Sequence, residues 1–360
     1  MVNQSRTIKS FTMSVLHCII YLLSIPFIIS CEDRRTTYEI EDQSFVLQEK
    51  RPFEQAHAST LVCLDNSEYM IAWFGGTKEK HDDVGIWMTI GTGAVWSSPV
   101  EIAKVSEVPH WNPVLFKRDN GEIILYFKVG SEIAVWQTWY MVSSDNGNSW
   151  TEPKELVVGD KGGRGPVRNK PIILSNGDWV AGASDESGLW RSFVDISTDD
   201  GNTWTKSDFI AFDTTEVRGE GMIQPTLWES SEGYVHMLLR TSAGYIYKSD
   251  SKDYGRTWSK AYKTNLPNPN SGIDLVQLAD GKLALLYNSD ANNWGSRANL
   301  KLAISADSGQ TWAEELVLED GEKGDEYSYP AIVSCGNQIA LTYTWNRSNI
   351  MFKTLKHNSK

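Results

Sequence analysis

The stretch Ser143-Ser144-Asp145-Asn146-Gly147-Asn148-Ser149-Trp150 carries the pattern S-x-D-x-G-x-x-W, and the chain repeats it three more times. The copies are Ser197/Asp199/Gly201/Trp204, Ser251/Asp253/Gly255/Trp258 and Ser305/Asp307/Gly309/Trp312, so each tryptophan lies 54 positions beyond the one before. One further step back from Trp150 reaches Trp96, the end of a degenerate copy, Thr92-Gly93-Ala94-Val95-Trp96. A period of roughly 50 residues is the length of one four-stranded propeller blade. Asp followed two residues later by Gly suits a tight hairpin, because Asp bonds its own backbone and Gly takes positive φ at no cost. The motif therefore reads as a fastener of the fold, with Ser and Asp tying the turn and Trp packing between blades.

Laid along the chain, this ruler finds six β-rich repeat starts: His57-Ala58-Ser59, Trp111-Asn112-Pro113, Asn169-Lys170-Pro171, Ile223-Gln224-Pro225, Asn270-Ser271-Gly272 and Ser328-Tyr329-Pro330. Second strands follow at 69–74, 123–128, 179–183, 234–240, 283–288 and 339–345, after turns such as Asn120-Gly121 and Asp280-Gly281. The expectation is an all-β, six-bladed propeller with these hairpins at its rim. A proline inside a start is expected at a strand's first position, where no ladder donor is lost. The last repeat lacks a tryptophan box, and an extra strand at 38–47 precedes the first blade. That N-terminal strand is expected to complete the last blade and remove the open edge.

Residues 1–30 read as an export signal, with Arg6 and Lys9 before an apolar run from Phe11 to Ile29. The run closes on Ile29-Ser30-Cys31, which resembles a bacterial lipobox and makes Cys31 the expected lipidation site; a plain membrane anchor is the alternative. The division is then 1–30 signal peptide, 31–52 mature N-terminus with the closing strand, and 53–360 propeller. The expected location is the bacterial cell envelope, outer membrane or periplasm, with membrane contact only through the lipid. A formal net charge of −12 argues against nucleic acid as a partner, since phosphate backbones demand a basic face. With 15 Trp among 360 residues, a surface that stacks on sugar rings is the fitting alternative. Cys63 and Cys335 fall on inner strands of adjacent blades; a disulfide is sterically conceivable, and buried free thiols are the expected state.

Inner-strand entrances converge at one mouth of a propeller. They offer His57, Asn112, Asn169, Lys170, Gln224, Asn270, Ser271, Tyr327 and Tyr329. Such varied polar chemistry suits a ligand better than a bland cap. A metal site from His81, Asp82 and Asp83 is a weak alternative, because three adjacent residues rarely converge on one ion, and neither a metal nor a cofactor is the expectation.

The boxes are identified as the Asp-box repeat of sialidases. From about Phe53 to Ile350, including Ala72-Trp73-Phe74-Gly75-Gly76, Asp83-Val84-Gly85-Ile86-Trp87 and Tyr343-Thr344-Trp345-Asn346-Arg347, the chain resembles the sialidase-like, BNR-repeat glycosyl hydrolases. The resemblance implies an arginine clamp for a carboxylate, a Tyr nucleophile polarised by Glu, and an Asp acid/base. Carried over, Arg240 and Arg297 match the second and third arginines, Asp83 the acid/base, and Tyr327-Ser328 the nucleophile segment. Two positions depart: the first arginine's Phe-Arg-Ile-Pro segment is Ala56-His57-Ala58-Ser59 here, and Gln224 stands where Glu should be, with Glu220 just upstream. The resemblance implies a monomeric exo-acting glycosidase on a terminal, acidic sugar of a complex glycan. True sialidase activity is not the expectation, and His57 is the informative substitution, since imidazole can give or take a proton near neutrality. The alternatives are a polysaccharide lyase using His57 or Tyr327, and a non-catalytic carbohydrate-binding propeller.

Overall fold

A computed structural model describes residues 38–65 and 67–357; the export segment and Cys31 lie outside them. Six antiparallel four-stranded sheets stand in a ring. Blade one comprises Gln55–Cys63, Tyr69–Gly76, Gly85–Gly91 and Val100–Ala103; blade two His110–Lys117, Ile123–Val129, Gln137–Ser143 and Lys154–Glu155. Blade three has Ile172–Ile173, Trp179–Asp185, Arg191–Ser197 and Thr205–Lys206; blade four Met222–Ser231, Tyr234–Thr241, Tyr245–Ser251 and Tyr262–Pro267. Blade five has Asp274–Gln277, Leu283–Tyr287, Asn299–Ser305 and Ala313–Asp320. Blade six takes Tyr327–Cys335, Gln338–Trp345 and Asn349–His357 from the end of the chain and Tyr38–Phe45 from its beginning, the last two paired antiparallel from Tyr38↔His357 to Phe45↔Met351. The ring is closed as the sequence led one to expect.

The second strands Tyr69–Gly76 and Ile123–Val129 are buried at every position, as befits a sheet covered on both faces by neighbouring blades. The repeated box does what its residue types suggest. Ser143 Oγ donates to Asp145 Oδ1 (2.8 Å) and accepts from Gly147 N (2.8 Å), while Ser149 N and Oγ donate to the two Asp145 oxygens. Thr203, Thr257 and Thr311 repeat the Ser149 contacts in the other boxes. Trp96, from the degenerate copy, donates its indole N–H to Ser44 of the closing strand (2.9 Å) and so fastens the seam instead.

The prolines differ from expectation. Pro113, Pro225 and Pro330 sit inside their strands, within register breaks between Trp111 and Val114, Ile223 and Thr226, and Ser328 and Ala331. These are β-bulges, where an unpaired residue has no ladder donor to lose. The residue before each proline, Asn112, Gln224 or Tyr329, has positive φ (42°, 56° and 53°), as do Ala58 and Asn270 at the like point of blades one and five. The bulge re-aims these side chains at the ring's axis.

The cysteines also depart from expectation. Cys63 and Cys335 are joined, with a Cα–Cα distance of 6.0 Å across a sequence separation of 272. The two inner strands lie side by side, so burial in a shared seam brought the thiols into bonding range. The crosslink bridges the first and last blades and locks the ring at its joint. In the chain-entropy account, a loop of this length is worth ~5 kcal/mol. Reduction, or Cys63→Ser, is therefore expected to lower the thermal midpoint by ~10 °C in calorimetry; an unchanged midpoint would count against a formed crosslink.

Candidate functional site

Several of the polar residues at the axis hold the ring together. Arg168, buried, donates through Nη2 to the carbonyl oxygens of Ser59 (3.1 Å), Tyr329 (2.5 Å) and Pro330 (3.0 Å), crossing from blade three to blades one and six. Lys170 pairs with the buried Asp274 (2.9 Å), which also accepts from Thr226 Oγ1 and Ile332 N. Asn112 Nδ2 donates to Val167 O, and Asn169 Nδ2 to Gln224 O and Pro225 O. Lys170 and Asn112, expected to bind substrate, are tied to other blades: Lys170 Nζ reaches across to Asp274 and Leu275 of blade five, and Asn112 Nδ2 to the segment before blade three, because six converging strands leave carbonyls to be satisfied across the axis.

A second cluster is open to one mouth. Arg240 donates from Nε to Asn270 Oδ1 (2.7 Å) and from Nη1 to Gln224 Oε1 (3.1 Å) and the Tyr329 hydroxyl (2.8 Å). Arg297 donates from Nη2 to Asn270 O (3.1 Å) and pairs with Glu326 (3.3 Å). The guanidinium carbons of Arg168, Arg240 and Arg297 lie 5.4, 5.7 and 5.9 Å from the centroid of the Tyr329 ring. Arg240 and Arg297 also flank Trp294, at 5.7 and 5.8 Å. This indole is 55% exposed, and its N–H donates to Glu220 Oε1 (2.9 Å). Trp190 covers Arg240 from the blade-three side at 5.7 Å. Burial alone would raise Glu220, but donation from Trp294 and Asn293 keeps it below the usual carboxylate range.

Arg347, on the hairpin after Trp345, is a site residue that sequence reasoning missed. It shares Glu326 with Arg297, donating from Nε at 2.8 Å, and pairs with Glu79 at 2.6 Å. Burial would raise Glu326, but two half-buried arginines on its carboxylate outweigh that and hold it below its usual range. Glu79 belongs to the same loop as Asp83, so this chain of ion pairs tethers that loop to the ring. Asp83 itself is exposed and accepts from Thr77 N (2.9 Å) and Oγ1 (2.8 Å); burial works against ionisation, and these bonds outweigh it and lower its pKa.

His57, at the place of the first arginine, is covered. Its ring lies 4.4 Å from that of Tyr329, and its Nδ1 is 2.9 Å from Thr344 Oγ1. Burial first, then Arg347, Arg297, Arg168 and Arg240, push its pKa well below the ordinary value, so it stands neutral under the tyrosine. Tyr327, expected as the nucleophile, is directed elsewhere. It packs on Trp345 (4.6 Å) and Tyr343 (6.5 Å) in the core shared by blades five and six, with its hydroxyl on Asp325. The bulge explains this: Tyr327 and Tyr329 would share a face of a regular strand, but positive φ at Tyr329 turns that ring to the axis. The pattern X-Pro in Asn112-Pro113, Gln224-Pro225 and Tyr329-Pro330 was the available signal. Glu186, near Arg240, is raised by burial against the pull of that arginine; Lys128, held by Thr138 and the carbonyls of Gly163 and Arg164, is brought down to about 7 by burial.

Residues 67–341 match the BNR repeat-like domain. The chain belongs to this family of sialidase-like propellers. Within the family, it is 24% identical over 232 residues to a sialidase of Bacteroides fragilis, covering 59% of this chain and 40% of that one. The match thus spans under half the length of that curated relative. A protein of unknown function from Dyadobacter fermentans superposes with a TM-score of 0.74 at 18% identity, over 89% of this chain and 100% of that one. A point mutant of the NanB sialidase of Streptococcus pneumoniae gives 0.67 at 15% identity, over 87% and 70%. These superpositions show a shared propeller fold.

His57 and the buried His110, whose pKa burial lowers to about 4, are held neutral in the folded ring but protonate freely once unfolded. Stability is therefore expected to fall as pH drops from about 6.5 toward 4, because the unfolded chain then binds more protons. His57→Gln should flatten part of that decline in pH-dependent denaturant titrations; a slope identical to the parent would overturn the assignment.

Proposed function

We propose that the protein is an exo-acting glycosidase that removes a terminal acidic sugar from a complex glycan. The observation that carries this reading is the pairing of Arg240 and Arg297 against Tyr329, with an exposed Trp294 beside them. Two guanidinium groups suit a carboxylate or sulfate of the sugar. The indole face suits its ring. Tyr329, in place of Tyr327, is the nucleophile: a neutral phenol approaches an anionic sugar without the repulsion a carboxylate would suffer. Its oxygen attacks the anomeric carbon as the glycosidic bond breaks, the phenolic proton passing to solvent at the mouth, and the arginines around it stabilise the charge that develops. Asp83 delivers a proton to the leaving oxygen from the small protonated fraction that its lowered pKa leaves, then takes one from the water that releases the sugar, and Tyr329 regains its own from solvent.

The Cys63–Cys335 crosslink supports export to an oxidising compartment. Anchoring through Cys31 belongs to the same proposal. A non-catalytic carbohydrate-binding role is the second reading. Gln224 favours it, because an amide occupied by Arg240 cannot take the phenolic proton. Elimination would have to rely on Tyr329 alone, since His57 lies beneath it.

A screen of the protein against acidic glycans, with product analysis, tests the proposal; release of a monosaccharide is expected, and tight binding without any product would favour the second reading. Tyr329→Phe should abolish release while Tyr327→Phe retains it with reduced stability; the reverse pattern would restore Tyr327. Replacing Arg240 or Arg297 by Leu should each lower kcat/KM by roughly 10- to 100-fold, the loss of a charge-assisted contact worth ~1.5–3 kcal/mol.

A further inference from the structure

The repeat supplies its own internal comparison. Where the second and third strands pair near the rim, blades one, two, three and five hold Met70↔Ile90, Ile124↔Val142, Val180↔Ile196 and Ala284↔Ile304. Blade four holds His236↔Asp250 at that place. At the end of the inner strand, three of those blades have Leu64, Leu174 and Leu278 where blade four has Ser230. Apolar residues fill most of these positions, Arg118 of blade two and Thr354 of blade six being the exceptions, and only blade four joins three polar groups there.

They form one relay. Asp250 Oδ1 lies 2.5 Å from His236 Nδ1, and His236 Nε2 lies 2.7 Å from Ser230 Oγ. Tyr262 donates to the second Asp250 oxygen (2.7 Å), and His236 stacks on the buried Trp228 at 5.0 Å, fixing its plane. Asp250 can only accept when ionised, so it sets the proton on Nδ1 and leaves Nε2 to accept from the serine. Burial raises Asp250, but donation from His236 and Tyr262 outweighs it and keeps the carboxyl below its ordinary range. Ser230 is partly open to solvent and lies in the register break between Glu229 and Ser231. Such a bulge re-aims its side chain and takes backbone N–H groups out of the ladder, the kind of donor an oxyanion requires.

We propose that Ser230, His236 and Asp250 form a second centre at the rim of blade four, an acyl-transfer site for carboxylic esters. The serine oxygen attacks the acyl carbonyl while His236 Nε2 takes its proton, then passes that proton to the departing alcohol. Water, deprotonated by the same nitrogen, attacks the acyl-serine; the acid leaves and the serine regains its proton. Ser230 and His236 are catalytic, and Asp250 positions the imidazole.

The test needs no glycan, so it stands apart from the reading of the axial site. The full protein is incubated with a fluorophosphonate probe and, separately, with p-nitrophenyl acetate. A phosphonyl adduct on Ser230 by peptide mass analysis is expected. Hydrolysis is expected to fall by at least about 100-fold in Ser230→Ala and His236→Gln, with thermal midpoints close to the parent. Asp250→Asn should lower kcat with little change in KM, which mere loosening of the hairpin would not do. Absence of an adduct on Ser230 in the parent protein, or parental hydrolysis by Ser230→Ala, overturns the proposal.

Discussion

The bulge in the inner strands is the constraint on which the rest of this propeller depends. Strands crowding toward one axis cannot all present regular alternating faces there, and a residue at positive φ is the device that turns one side chain inward. For a non-glycine residue this costs on the order of 1–2 kcal/mol. The cost recurs at Ala58, Asn112, Gln224, Asn270 and Tyr329. It is offset by what the turned side chains then bond: Asn112 to the next blade, Gln224 and Asn270 to Arg240, and Tyr329 to the same guanidinium. The site is thus built from the same strain that lets the ring close.

The electrostatics follow from that packing. An acidic protein has gathered Arg168, Arg240, Arg297 and Arg347 around one tyrosine and one neutral histidine. Only part of the charge is neutralised from within. Glu326 serves two of the arginines, and Glu79 the outermost, whereas Arg240 is held by neutral partners. Arg240 therefore keeps its positive field for an incoming anion, while Arg347 spends its own on holding the loop that carries Asp83.

The repeat was legible because its chemistry is local. Ser, Asp and Gly at fixed offsets specify one turn, and the blade count and the closing strand follow from their spacing. The arginines at 240 and 297 were legible through resemblance. Tyr329 was within reach of the X-Pro pattern, but Tyr327 looked equally good until the bulge was known, since one residue of register inverts a strand's faces. Arg347, Trp294 and Glu186 sit on the connections between second and third strands, which differ in length from blade to blade, so no internal ruler points to them. The crosslink was the opposite case: its partners were named, and only the distance between neighbouring inner strands could decide their state.

The seam of blade six also has a consequence in time. Its strand Tyr38–Phe45 is synthesised before the first five blades, and its partner Asn349–His357 after them. Five blades can assemble from neighbouring segments as the chain emerges, each hairpin closing over a short loop, but the sixth must wait. Until then the early strand has an unpaired edge and the adjoining blades an uncovered apolar face, the condition in which chains associate wrongly. Joining such distant segments is slow relative to local hairpin formation. The nascent protein therefore passes through an open arc before it becomes a ring, and the interval before closure is when it most needs protection.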